Sequence, residues 1–207
     1  LLAASALVAG TLIATPLGAR PVAAAGRTFT VTSTGDAGDT NEGDGACNAG
    51  GGQCTLRAAI EEANAWQGHD TIEFDIAGSG PHTIRPGGDG LEWITSPDGV
   101  TIDGYSQPGS RANTATYGTN AVIKIQIEGQ GTDDGAPDGL ELRSRGNVVR
   151  GLAIYDFRLQ VRLFGGASTD NVVVGNFVGT NAAATVVNNS GNSSNGVHIQ
   201  AGPVRAT

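Results

Sequence analysis

The chain has 207 residues, one domain's worth and enough to bury a substantial core. It carries 33 glycines, 15% charged and 5% aromatic residues, but its 39% hydrophobic fraction argues against disorder. The net charge of −8 repels nucleic acid phosphates and anionic lipid headgroups, so neither is an expected partner, and it disfavours acidic polysaccharides unless calcium bridges the charges. The sequence begins without Met and stops inside a strand-like pattern, Ala-Gly-Pro-Val-Arg-Ala-Thr, so the chain is expected to be a fragment at both ends.

Leu1 to Ala14 is an uncharged apolar run, too short to span a bilayer as a helix. Small residues follow, and Ala23-Ala24-Ala25 fits the small-x-small cleavage rule of a secretory signal. Residues 1–25 are therefore expected to be a partial signal peptide cut after Ala25, with Ala19 as the competing site. A buried helix of the folded domain is the rival reading of the run. In an exported chain, Cys47 and Cys54, which enclose the flexible loop NAGGGQ, are expected to form a disulfide. Two free thiols are the alternative, and no His or further Cys stands at zinc-ligand spacing.

Residues 26–68 read as an N-terminal cap. Phe29–Ser33 alternates like a strand, and a polar loop runs from Thr34 to Ala46. In CTLRAAIEEANA, Leu56, Ala59, Ile60 and Ala63 share one helical face, while Arg57, Glu61 and Glu62 fall elsewhere on the wheel. Thr55 suits the N-cap and Gly68 the C-terminal stop. The acidic loop residues Asp36, Asp39 and Asp44, with Asn41 and Glu42, are weak calcium candidates, because their spacing departs from an EF-hand and no bidentate Glu stands at the twelfth position.

CTLRAAIEEANA closely resembles the CSLREA motif, with Thr55 and Ala58 at its second and fifth positions. FTVTSTGDAGDTNEGDGAC resembles that family's lead-in strand and loop, and TIDGYSQPGS a stretch that recurs in the same proteins. The resemblance runs from about Phe29 onward. It implies an exported, typically bacterial protein whose body is a right-handed parallel β-helix, and it supplies no catalytic residues. Physically, the first coil of a solenoid exposes unpaired backbone and an apolar cross-section, which an amphipathic helix can cover. An ordinary surface helix is the competing reading.

Residues 69–207 read as the first coils. GNVVRGLAIYDF (146–157) aligns with DNVVVGNFVGTN (170–181), so Asn147 matches Asn171, Val148 and Val149 match Val172 and Val173, Gly151 matches Gly175 and Ile154 matches Val178. A second strand recurs in GLELRS, LQVRLFGG and NGVHIQAG, with Leu142, Leu163 and Ile199 equivalent and residues 182–193 a loop inserted before the last copy. Residues 99–104 look like an earlier copy of the first strand, and Val122–Ile127 of another. The expected fold is all-β, a parallel β-helix with an N-terminal capping helix, in which Asn147 and Asn171 form a stacked asparagine ladder. An antiparallel β-sandwich is the alternative.

No nucleophile elbow, P-loop, HExxH or Rossmann fingerprint occurs, and His69, His82 and His198 are scattered. Asp133, Asp134 and Asp138, near Glu128, Glu141, Arg143, Arg145 and Arg150, are weak candidates for a groove that holds an anionic glycan; a solvated turn-rich loop is the simpler reading. Asn188 and Asn192 head N-x-S sequons. The expected function is an exported, non-catalytic surface scaffold or adhesin-like protein. The rival is a carbohydrate-active or glycan-binding β-helix, with calcium the only expected cofactor and a polysaccharide or cell-surface glycan the expected partner.

Overall fold

A computed structural model describes residues 25–131, 135–185 and 195–200. The export segment, Asp133, Asp134, both sequons and most of the 182–193 insertion therefore lie outside the described residues. The described residues are strand-rich, with one α-helix among them, α1 (Leu56–Ala65), and a single turn of 3-10 helix at Gly104–Ser106.

Among the described residues, twelve strands form three parallel sheets. The first holds β1 (Thr28–Val31), β2 (Asp70–Phe74), β4 (Val100–Asp103), β7 (Val148–Arg150) and β10 (Val172–Val174), in that order. The second holds β3 (His82–Ile84), β5 (Ile125–Glu128), β8 (Leu152–Tyr155) and β11 (Phe177–Val178). The third holds β6 (Leu140–Leu142), β9 (Leu159–Phe164) and β12 (Asn195–Gln200), and Ile94 bridges in parallel to Leu142 at its margin. From β4 onward the described strands fall on the first, second and third sheets in turn, and β7 to β12 each pair with the strand three before them.

Registers match the internal repeats residue for residue. Val148 and Val149 pair with Val172 and Val173, Ile154 with Val178, and Leu163 with both Leu142 and Ile199. Thr101 and Ile102 of the 99–104 segment pair with Val148 and Val149. Strand pairing is parallel throughout these sheets, which overturns the sandwich alternative: among the described residues, antiparallel pairing is confined to an isolated bridge between Arg111 and Val122. Alternation decides what is inside. Ile72, Ile102, Ile127, Ile154, Leu140, Leu142 and Val161 are all fully buried. The turns are equivalent too, since Gly146 and Asp170, which align in the repeat, both adopt the left-handed region, at φ 70° and 58°.

The asparagine ladder forms. Asn147 is fully buried, its Oδ1 accepts from Val100 N–H at 2.9 Å, and its Nδ2 donates to Asn171 Oδ1 at 2.9 Å. Asn171 Oδ1 also accepts from Asn147 N–H. Asp70 performs the same task two levels nearer the cap, where its Oδ1 accepts from Arg27 N–H at 2.7 Å. Val100 stands between Asp70 and Asn147 in the column and supplies no side-chain polar group, so the buried Asp70 Oδ2 has no hydrogen-bond partner. Burial raises the Asp70 carboxyl above its ordinary value.

At the cap, Leu56, Ala59, Ile60 and Ala63 are all buried, and α1 packs against β1 and β2. Thr55 is the N-cap, accepting from Ala58 N–H at 3.1 Å. The helix ends at Ala65, and Gly68 takes φ +102° three residues on. Cys47 and Cys54 form a disulfide with a Cα–Cα distance of 5.2 Å. The glutamates depart from a simple amphipathic picture. Glu62 is completely buried and accepts from Gly43 N–H at 2.7 Å and Gly45 N–H at 2.9 Å, while Glu61 accepts from Asp39 N–H. Burial raises both carboxyls. The helix therefore has two working faces, an apolar one on the sheets and an acceptor one that organises the 34–46 loop.

Candidate functional site

Sequence neighbours in the 128–150 region separate onto different sheets, so the acid-and-arginine cluster expected there does not assemble as a unit. Glu128 pairs with Arg85 at 2.5 Å on the second sheet, and Arg150 with Asp103 at 2.6 Å on the first. Among the described residues of that region, Asp138, Glu141 and Arg143 remain together, on the third sheet. They are joined there by Arg158 and Arg162, which sequence proximity did not bring into view.

Local alternation places them. In β6, Leu140 and Leu142 point into the core, so Glu141 points outward, and Arg143 follows in the same phase. In β9, Arg162 stands beside Glu141, and in β12 His198 stands beside Arg162. Asp138 precedes β6 with its side chain only 8% exposed, held by Arg158 at 2.7 Å and Arg162 at 3.1 Å. Glu141 is held by Arg143 at 2.6 Å and Arg162 at 3.5 Å. The guanidinium of Arg143 lies 3.1 Å above the centre of the Trp93 ring, and that of Arg162 lies 4.2 Å from Phe164. The two carboxylates are thus paired with three arginines, an arrangement that ties neighbouring strands together.

Two contiguous clefts open beside this network. One, of about 220 Å³, lies between Asp89, Leu91 and Trp93 and the Asp138–Glu141 edge. The other, of about 460 Å³, lies between Arg57 of α1 and the 87–93 loop. Trp93 borders both and is 49% exposed. Trp93 did not stand out in the sequence as a functional residue, since a lone tryptophan reads equally as core.

On the second sheet, Tyr155 is buried beside Glu128, and its hydroxyl is pushed up to about 12, mainly by burial and then by that carboxylate. Asp156, in the left-handed region at φ 64°, is raised by burial and by Glu128. The histidines are dispersed: His69 contacts Asp98 O and Thr101 Oγ1, His82 is on the second sheet and His198 on the third.

The calcium candidates are engaged elsewhere. Asp36 pairs with Arg57 at 2.8 Å and accepts from Gly87 N–H, Asp39 accepts from Asn41 and Asn48 N–H, and Asp44 from Ala46 N–H and Asn41 Nδ2. Among the described residues, no three His, Cys, Asp or Glu side chains gather as a cation site. The TIDGYSQPGS stretch is likewise occupied in holding backbone. Gln107, 1% exposed, clamps both polar groups of Ile76, Ser106 Oγ accepts from Phe74 N–H, and the Tyr105 hydroxyl donates to Gly175 O at 2.6 Å. Gly151, at φ 72°, lets Tyr105 lie against it, since a Cβ there would sit 2.6 Å from Tyr105 N.

Compared with family models, curated proteins and solved structures, the chain finds no match. Among the described residues, no helix is long and apolar enough to cross a membrane.

Proposed function

We propose that the chain belongs to an exported, non-catalytic surface scaffold of the CSLREA type, whose three parallel sheets are the faces of a right-handed parallel β-helix. The observation that supports it best is where the charges go. Asp103–Arg150, Arg85–Glu128, Asp138–Arg158, Asp138–Arg162 and Glu141–Arg162 each join neighbouring strands of a sheet, or the turns beside them. Charged side chains that an enzyme would keep for chemistry act here as staples between successive levels, as a stalk or adhesin segment requires. The right hand follows from the strong preference of parallel crossovers for that chirality and from the family resemblance. Export is supported by the small-residue segment ending at Ala25 and by the Cys47–Cys54 disulfide, which fits an oxidising compartment.

The test is incubation of the full chain with acidic and neutral polysaccharides, with and without calcium, while new reducing ends and unsaturated products are followed. No product is expected. Chain cleavage on any substrate would overturn the non-catalytic reading. A second reading, glycan binding without cleavage, is favoured by the half-exposed Trp93 beside its clefts.

A further inference from the structure

We propose that the 87–93 loop and the third-sheet edge form a binding groove for a neutral hexopyranose chain, with Trp93 as its stacking platform. The proposal deepens the glycan-binding reading and rests on export only for access to glycan.

Preorganisation of Trp93 is the first support. Its ring is fixed on one face by Arg143, which Glu141 holds in turn, yet the residue stays 49% exposed. Its backbone is pinned from α1: Asn64 Nδ2 donates to Trp93 O at 2.7 Å, and Asn64 Oδ1 accepts from Thr95 N–H at 2.8 Å and Ser96 N–H at 3.1 Å. Arg57 donates to Gly90 O at 2.7 Å, and Asp36 accepts from Gly87 N–H at 2.7 Å. A half-exposed tryptophan held through both its ring and its backbone is a suitable feature for recognition. Polar residues of the capping motif, Arg57 and Asn64, thereby acquire a second consequence beyond the cap itself.

The second support is shape and charge together. The larger cleft, about 460 Å³, falls in the usual range for small-ligand sites, and the smaller one continues it past the same tryptophan, as a linear chain needs. The cations that border the groove are engaged: Arg57 with Asp36 and, at 4.0 Å, with Glu92, and Arg158 with Asp138. The exposed charges are carboxylates, Asp89 and the 57%-exposed Glu92. A polyuronate would meet repulsion there. A neutral sugar would lay its C–H face on the ring and donate hydroxyl hydrogens to Asp89 and Glu92. This reverses the anionic preference that the acids and arginines imply when read along the sequence.

The experiment titrates the full chain with soluble neutral β-glucan, neutral galactan and polygalacturonate, following binding by calorimetry and reducing ends in parallel. Saturable binding of a neutral polymer is expected, without binding of polygalacturonate. Trp93→Ala should weaken it at least about tenfold at unchanged melting temperature, and Trp93→Phe should retain part of it. Absence of binding to both neutral polymers, preference for polygalacturonate, or equal affinity in a folded Trp93→Ala variant would each overturn the proposal. Binding accompanied by new reducing ends would overturn the non-catalytic function and leave the groove standing.

Discussion

The two margins of the first sheet are built from the same kind of strand but end differently. At the cap margin, Phe29 and Val31 of β1 are 3% and 0% exposed, because α1 and its loop lie over them. At the other margin the inward position of β10 is Val173, in register with the buried Val149, and it is only partly buried, while Val172 and Val174 face outward at 46% and 53% exposed. The difference teaches that alternation assigns a side chain to the inside of the stack, but burial needs a further layer above it. The α1 segment supplies that layer with apolar contacts beneath and two acceptors, the buried Glu62 and the partly buried Glu61, that hold its own loop in place.

The largest break in this comparison is expected from Ile60→Asp. Ile60 is 1% exposed in the core that joins helix and sheets, so a carboxylate there should cost about 4 kcal/mol or more. It should make the cap margin resemble the opposite one, with aggregation through exposed strand edge. Denaturant unfolding and size-exclusion chromatography check this, and a soluble variant of unchanged midpoint would show that α1 is not the cover. Cys47→Ser should have the next largest effect, a loss of about 2–3 kcal/mol from removing a short loop closure. Its melting temperature should match that of the reduced parent, and a value equal to the oxidised parent would show that the disulfide contributes nothing.

The smallest effect sharpens the comparison within one column. Asp70 occupies the position filled by Asn147 and Asn171 on later levels but keeps an orphan carboxylate oxygen. Its raised folded value means that the folded state holds the proton more tightly than the unfolded chain, whose ordinary value is 3.8. The stability contributed by the protonated group is therefore full below that ordinary value and is lost as pH rises through the folded value. Asp70→Asn should equal or exceed the parent in unfolding free energy at pH 7, by under about 1 kcal/mol, and the gap in denaturant midpoint should close as the solution is acidified below 3.8. A gap that widens on acidification would contradict the assignment.

Much of the architecture was legible because the repeat is written in residue types that only one register satisfies. Matching Asn147 with Asn171 and Leu142 with Leu163 fixes which strands become neighbours, and the 56–63 spacing fixes the apolar face of α1. The candidate site was less legible. Asp138 was visible as an acid but not its partners, since Arg158 and Arg162 lie on the next level. Glu128 and Arg150 looked close to Asp138 along the chain yet turned onto other sheets. Glu62 looked like a solvent residue, because helical periodicity does not reveal that a loop will return to cover it.

By itself, the sequence determined the strand repeats, the capping helix, the cysteine pair and the asparagine column, because periodicity, turn residues and local spacing are properties of the chain read in order. Tertiary structure alone decided which charges meet, that Trp93 stands half-exposed between two clefts, and that Arg57 and Asn64 reach from the helix to hold its loop. Those contacts join residues one or more levels apart, and their partners are selected by the stacking of sheets rather than by distance along the chain.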